Sequence, residues 1–532
     1  MARSAHIDTF TADNLPPPDQ WPTLTFDLPE LAYPEQLNCS QQLLDSTAER
    51  FGADRRCLVS NGQTWTYGET LEKVNGIAHL LVDDLGIVPG NRVLLRGPNN
   101  AWYAAAWLAV IKAGAVAVAT MPLYRAAELT NIIDKAEITT ALCDHRYVDE
   151  LVKTGRDIDI VAWGGAEPDD LSRRIASNPG EFDAVETAAD DVCLIAFTSG
   201  TAGRPKGCMH FHRDVLAIAD TFSTRLIKPV PDDIFTGSPP LAFTYGLGQL
   251  LVFPLRAGAA TLLVEDGSPP HLTEAITEHR ATIVGTAPTA YRAMLDVEGW
   301  DPTSLRRCVS AGETLPKPTF EAFREHTGIK LIDGIGATEM LHVFISAGDD
   351  DIRPGATGVP VPGYQARVTD DDGRPVPDGD VGHLAVRGPT GCRYLADPRQ
   401  TEYVRHGWNV TGDAYIRDED GYFWYQARTD DMIISAGYNI AGPEVEAALL
   451  SHPDVAETGV VGVPDEKRGE IVKAYVVVRR GVEANDHLVN RLQDHVKTTI
   501  APYKYPREIE FLDELPRTQT GKVQRYRLRQ LT

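Results

Sequence analysis

Disulfide spacing, a long apolar run and an excess of positive charge are all missing from this 532-residue chain. Its seven cysteines (Cys39, Cys57, Cys143, Cys193, Cys208, Cys308, Cys392) are scattered and odd in number, with no C-x-x-C. That argues against a disulfide framework or zinc site and for reduced thiols, several of them small core residues. The longest apolar stretch, AWYAAAWLAVI from Ala101 to Ile111, falls short of the ~20 residues a bilayer crossing needs. The opening MARSAHIDTFTADNLPPPDQWP has no apolar segment of the secretory kind, so a cytoplasmic protein without membrane insertion is expected. Basic residues number 51 against 75 acidic ones, a formal charge of −24. Such a surface repels nucleic-acid backbones and anionic lipid, yet local basic loops can still hold a small anion.

What is present is ordinary globular material. Hydrophobic residues at 43% and charged residues at 24% rule out a disordered chain, and the length exceeds what one core serves, so at least two domains are expected. Up to about residue 350, short apolar runs alternate with helical stretches. RVLLRG (92–97) reads as a strand, 101–114 as a helix closed by Gly114, and AVAVAT (115–120) as a strand; TALCD, DIVAW, CLIAF, ATLLV, ATIVGTAP, RRCVSAG and KLIDGIG continue the rhythm. Buried strands separated by helices predict doubly wound parallel sheets, an α/β fold. From Gly355 to about Gln426 the turn dipeptides predict antiparallel hairpins. Beyond Arg428–Asp431 come a hairpin-like segment, a helix entered at Pro443, and ETGVVGVPD, IVKAYVVVRR, NDHLVNRLQDHVKTTI and REIEFLDELP, enough for a small α+β domain.

Four segments carry chemistry. TSGTAGRPKG (198–207) offers glycine backbone amides with Thr198, Ser199, Thr201 and Lys206 as donors, which makes either an anion nest or a mobile surface turn. It is not a Walker A loop, because no GK[ST] closes it. DGIGATEM (333–340) places Thr338 and Glu339 after a strand; Glu339 is a hard oxygen ligand suited to Mg²⁺, or simply an acid at a helix start. In NVTGDAYIRDEDGYFWYQARTDDMIISAG, Asp413 can accept both hydroxyls of a ribose, with Arg428 nearby. In PRTQTGKVQR, Lys522 reads as a presented cation or as part of an exposed basic tail.

The order and spacing of TSGTAGRPKG, DGIGATE, TGD, ARTDDMI and PRTQTGK resemble the adenylate-forming superfamily of acyl-CoA synthetases, adenylation domains and luciferases, over essentially the whole chain. The resemblance implies a large N-terminal domain (1–429) of doubly wound sheets plus a β-barrel-like subdomain, and a small mobile C-terminal domain (430–532) hinged at Asp430. It implies that ATP and a carboxylic acid form an acyl-adenylate, whose acyl group passes to a thiol. By motif, Thr198, Ser199, Gly200, Thr201 and Lys206 would hold the β and γ phosphates, Thr338 the α-phosphate and Glu339 the Mg²⁺. Asp413 and Arg428 would hold the ribose, and Gly312, Glu313, Asp333 and Gly334 would lie against the adenine. Lys522 would bridge carboxylate and phosphate during adenylation. After domain rotation, the segment Ser435-Ala436-Gly437-Tyr438 would line the path of the thiol, with Gly437 allowing a pantetheine arm to pass.

SPPLAFTYGLG (238–248) and IGATEMLHVF (335–344) are the expected acid pocket and look closest to benzoate-CoA and 2-aminobenzoate-CoA ligases. Phe243, Tyr245, Gly334, Ile335 and Gly336 would make a flat apolar slot, with Thr244 and His342 either meeting a ring substituent or simply packing and bonding backbone. Ile335 stands where many members of the superfamily carry tyrosine. The segment LAFTYG has no carboxylate to pair with an α-ammonium, which disfavours amino acids. The expected substrate is 2-aminobenzoate, then benzoate or salicylate. With no appended carrier domain in these 532 residues, coenzyme A is the expected acceptor, Lys467, Arg468 and Lys473 being candidates for its 3′-phosphate. The alternatives are a separate carrier protein as acceptor or a catalytically dead binding protein, and either a monomer or a homodimer is compatible.

Overall fold

A computed structural model describes residues 3–176, 180–198, 205–428, 431–435, 438–465, 468–500, 502–517 and 522–531. The apolar runs of the first 350 residues build two large sheets. The smaller has six strands in the order Asp159–Trp163, Thr140–Asp144, Arg92–Arg96, Val116–Thr120, Val192–Thr198, Lys206–Phe211. The first five run parallel, and the last pairs antiparallel with its neighbour. The second sheet has nine strands in the order Val359–Pro360, Val343–Ser346, Leu331–Gly336, Arg307–Ala311, Ile283–Thr286, Ile234–Gly237, Ala260–Leu263, Arg56–Ser60, Gln63–Thr66. Its middle six are parallel and its margins antiparallel.

Both faces of these sheets are covered, which is why their strands read as unbroken apolar runs. In Val116–Thr120, Val116 and Val118 enter one core while Ala117 and Ala119 enter the other. The helix Ala101–Lys112 lies in the core that the two sheets share. The Asn100 side chain caps it by accepting from the Tyr103 amide, and Gly114, at φ +72°, turns the chain into the next strand. Tryptophan, alanine and aliphatic residues cover this helix on all sides because it has no solvent face. All seven cysteines are free and buried. Among the described residues, no helix is long and apolar enough to cross a membrane.

The hairpin-rich stretch forms a five-stranded antiparallel sheet: Gln365–Thr369, Val381–Arg387, Trp408–Arg417 and Val404–Arg405, with Phe423–Arg428 also paired to Trp408–Arg417. Strands after Arg428 belong to a separate five-stranded sheet: Tyr438–Ile440, Ile433–Ser435, Gly469–Val478 and Val455–Asp465, with Glu508–Phe511 parallel to Gly469–Val478. Helices Gly442–Leu450 and Asp486–Thr499 pack on it around Val445, Leu449, Leu488 and Leu492. Arg292 of the larger portion donates to the Val455 carbonyl of this last unit at 3.1 Å.

A buried ion pair anchors the segment that carries Tyr394. Arg393 and Asp214, both 0% exposed, meet at 3.0 Å and tie that segment onto the helix His212–Ile218. Burial works against the charge on Asp214, but the Arg393 guanidinium and the adjoining His210 hold its carboxyl below the usual carboxylate range.

Candidate functional site

In open α/β sheets, ligands settle beyond the carboxyl ends of parallel strands, where the strand order reverses. In the nine-stranded sheet that point is Ile234–Gly237, which has Ala260–Leu263 on one side and Ile283–Thr286 on the other. The expected acid segment 238–248 leaves from that end. Gly312 and Glu313 follow the strand Arg307–Ala311, and Thr338 and Glu339 follow Leu331–Gly336.

The anion loop is anchored by a hairpin in which Thr198 and Lys206 stand directly opposite each other. Ser199, Gly200 and Thr201 lie outside the described residues. Lys206 Nζ donates to Tyr394 Oη at 2.8 Å and lies 3.5 Å from Glu339 Oε1. The Tyr394 hydroxyl in turn donates to Glu339 Oε1 at 2.5 Å. Burial and the Glu339 charge push the Tyr394 phenol far above its ordinary range, so it remains a donor. His210, fully buried, bonds the Thr338 carbonyl at 2.8 Å and fixes the short helical turn Thr338–Met340. Cation, phenol and carboxylate thus hold one another, and among the described residues the contacts of Glu339 fall on Oε1. A single carboxylate with an oxygen to spare suits Mg²⁺, which usually takes few protein ligands and fills its shell with water and substrate phosphate.

Asp413 and Arg428 are cross-strand partners at 3.1 Å. Gly412, at φ +77°, passes so close that a Cβ there would lie 3.1 Å from Arg428 Nη2. Burial raises the Asp413 carboxyl, with Arg428 and Lys522 pulling the other way. Burial also raises Glu313, and Arg517 and Lys522 oppose it. Lys522 itself is lowered, first by the surrounding protein and then by Arg428, against the pull of Glu313 and Asp413. Its Cε is 4.0 Å from where a Gly312 Cβ would be. Water still reaches this side chain, so Lys522 occupies a wet cleft enclosed by protein rather than a free tail. Two phenols join the clusters: Tyr403 feels both Glu339 and Asp413, and Tyr415 feels both Asp413 and Asp333. The Asp333 carboxyl accepts from Ser310 Oγ at 3.0 Å and is pushed up to about 7 by burial.

The expected acid pocket is assembled around the helix Thr244–Leu247. Asn99 grips both sides of its approach, donating to the Pro239 carbonyl at 3.0 Å and accepting from the Leu241 amide at 2.7 Å. Tyr245 Oη donates to the Val309 carbonyl at 3.0 Å and lies 3.4 Å from that of Thr286. Thr244 is buried, and Phe243 and Ile335 are partly exposed. His342 sits among Phe222, Tyr245 and Phe253, with ring centroids 5.5, 5.6 and 4.6 Å away. Burial pulls its imidazole down to about 3, so the ring is neutral. Gly334 and Gly336 have a packing reason of their own: a Cβ on Gly334 would meet Val343 at 2.6 Å, and one on Gly336 the His342 carbonyl at 2.8 Å.

Asp430 and Gly437 lie outside the described residues. Ser435 and Tyr438 pair across the hairpin that would carry the thiol path. Of the cations considered for a 3′-phosphate, Lys467 lies outside the described residues. Lys473 is engaged by Glu510 at 2.9 Å and Glu508 at 3.7 Å and is nearly buried, so it is not available to a phosphate. Arg468 remains exposed. Sequence reasoning missed Tyr394, His210 and Asn99. Only His210 left a trace, on the same strand face as Lys206.

Known proteins resemble this chain over nearly its whole length. Residues 44–394 match the AMP-binding enzyme family, and residues 444–522 match the AMP-binding enzyme C-terminal domain. The chain is 34% identical to the benzoate–CoA ligase of Thauera aromatica over 94% of its own length and 97% of the relative's. Among solved structures it is similar to the anthranilate CoA ligase AuaEII in complex with anthranoyl-AMP, with a TM-score of 0.90 and 31% identity over 95% of this chain and 99% of that one. It is also similar to a benzoate CoA ligase from Burkholderia xenovorans LB400, with a TM-score of 0.86 and 31% identity over 93% of this chain and 100% of the other.

Proposed function

The chain belongs to the AMP-binding enzyme family, and from that premise we propose an aryl-acid–CoA ligase whose preferred substrate is 2-aminobenzoate, ahead of benzoate and salicylate. It is an acid–thiol ligase of the AMP-forming kind, using ATP, Mg²⁺ and coenzyme A. A carboxylate is a poor electrophile and both reactants are anionic, so the site must neutralise charge and align the acid with the α-phosphorus. The observation that carries this reading is the convergence of Lys522 with Glu313, Asp413 and Arg428 beside the Lys206–Tyr394–Glu339 cluster.

In this reading Asp413 and Arg428 receive the ribose, and Gly312, Glu313, Asp333 and Gly334 flank the adenine. The loop from Thr198 to Lys206, with Ser199, Gly200 and Thr201, holds the β and γ phosphates. Thr338 contacts the α-phosphate. Glu339 would hold Mg²⁺, which supplies neutralising charge at the phosphates. Lys522 meets the carboxylate and the α-phosphate as negative charge shifts between them. The acid ring lies along Phe243, Thr244, Tyr245, Gly334, Ile335 and Gly336, with His342 at its deep end. The likeness to an anthranilate CoA ligase and to benzoate ligases supports an aromatic acid. The second half-reaction involves rotation of residues 430–532 about Asp430, which withdraws Lys522 and presents Gly437 and Tyr438 to the thiol. The reduced thiols support a cytoplasmic setting.

An ATP- and CoA-dependent AMP-release assay across benzoate, 2-aminobenzoate, 2-hydroxybenzoate, cinnamate and octanoate tests the substrate. Highest kcat/KM for 2-aminobenzoate is expected, and a preference for octanoate would overturn the aromatic slot. Replacing CoA with a holo carrier protein in the same assay decides the acceptor.

A further inference from the structure

The helix that continues from the expected acid segment carries, among the described residues, a buried amide with nothing to bond. Gln249 is fully buried, and neither its Oε1 nor its Nε2 has a hydrogen-bond partner. His342, 2% exposed, has at most the Tyr245 carbonyl within reach of its ring nitrogens. Buried side-chain groups are nearly always paired, so an unpaired amide on this turn of helix calls for a missing partner. That turn, Gly248–Val252, is π-helical, a distortion common at functional sites.

The backbone has been cleared to admit these two side chains. A Cβ on Gly285 would lie 2.4 Å from Gln249 Cγ and 2.9 Å from its Nε2, and a Cβ on Gly248 would lie 2.3 Å from His342 Cδ2. Gly285 belongs to the strand Ile283–Thr286, whose Thr286 carbonyl faces the Tyr245 hydroxyl. The rest of the wall is Phe222, Tyr245 and Phe253, and the Tyr245 hydroxyl is already engaged by backbone carbonyls.

We propose that Gln249, with His342 beside it, reads a ring substituent that can both donate and accept a hydrogen bond, so that the chain selects amino- or hydroxy-substituted aromatic acids over benzoate. The inference rests on the aryl-acid reading and adds to it the residue that decides among aryl acids. A primary amide supplies two donors and an acceptor, and a neutral imidazole supplies one of each. An amine or hydroxyl answers that set, whereas hydrogen or an alkyl group leaves it unpaired. Sites built to hydrogen-bond a substrate group discriminate against the analogue lacking it far more steeply than apolar pockets sort by size.

The test compares kcat/KM for 2-aminobenzoate, 2-hydroxybenzoate, 3-hydroxybenzoate and benzoate in the wild-type enzyme and in Gln249→Met, which keeps the length but removes the amide. The wild type should prefer at least one substituted acid to benzoate by tenfold or more, and Gln249→Met should lower that ratio at least tenfold. Gln249→Asn, whose amide is one methylene short, should lower it too and serves as the second variant where Gln249→Met folds poorly. A ratio unchanged in both variants, or a parallel loss on all acids, would mean that Gln249 only packs the helix and would overturn the proposal. A wild type that turns over benzoate as well as the substituted acids also overturns it. Activity on none of the aromatic acids would instead overturn the aryl-acid reading itself.

Discussion

Lys522→Ala should separate the two half-reactions. Lys522 faces both Glu313 and Asp413 in the cleft, joined by Arg517 at Glu313 and by Arg428 at Asp413. Removing Lys522 leaves each carboxylate with one cation fewer and takes away the positive charge the two share. Two unit charges ~4 Å apart interact by about 4 kcal/mol at an effective dielectric of ~20. Water reaches Lys522, so screening brings this to roughly 3 kcal/mol, in line with the loss of one preorganised transition-state donor. At about 1.4 kcal/mol per decade, that is roughly a hundredfold loss in rate. The assay is acid-dependent ATP–pyrophosphate exchange, run beside thioester formation from supplied acyl-adenylate. Exchange should fall about a hundredfold while thioester formation persists, since Lys522 is withdrawn for the second step. Equal loss in both would refute the role assigned to Lys522. Loss of its charge should also raise the Asp413 and Glu313 carboxyls further, so residual exchange should gain more from higher pH than the wild type does.

Tyr394→Phe removes the hydroxyl that bonds Lys206 and Glu339 and should cost roughly 1.5–3 kcal/mol of support for that pair, read as a rise in the ATP and Mg²⁺ KM; unchanged KM values would place the phenol outside phosphate binding. Asp333 is pushed up to about 7 by burial, so the folded state holds its proton where the unfolded chain has released it. Stability from this group therefore falls as pH rises from about 4 to about 7, by at most roughly 4 kcal/mol. Asp333→Asn should flatten that slope in urea melts, and a slope identical to wild type would contradict the shift. Gly437→Leu should spare adenylation and block thioester formation, and collapse of adenylation would remove Gly437 from the thiol path.

The parts of the site legible in the sequence are those whose chemistry is local. Lys206, Glu339, Asp413 and Lys522 each sit in a short segment whose neighbours advertise them: glycines that free a backbone, a threonine beside a carboxylate, a turn before an acid. Tyr394 carries no such signal. Its partners lie 55 residues away at Glu339 and 188 away at Lys206, and nothing around it distinguishes it from any core tyrosine. Gln249 was invisible for a related reason. Its meaning depends on having no partner and on Gly285 opposite, both properties of the folded packing. Lys473 shows the reverse error: a free cation in the sequence, it is neutralised by two glutamates of a neighbouring strand.

The strands were legible in the chain because residues buried on both faces of a parallel sheet must be apolar in succession. The family chemistry was legible too, because each motif packs its donors and glycines within a few residues. Folding brings Lys522 beside Glu313 and Asp413, sets Tyr394 and His210 against Glu339 and Thr338, and keeps His342 neutral. Those facts depend on distance and desolvation between segments far apart in the chain, and both are set by packing rather than by sequence neighbours.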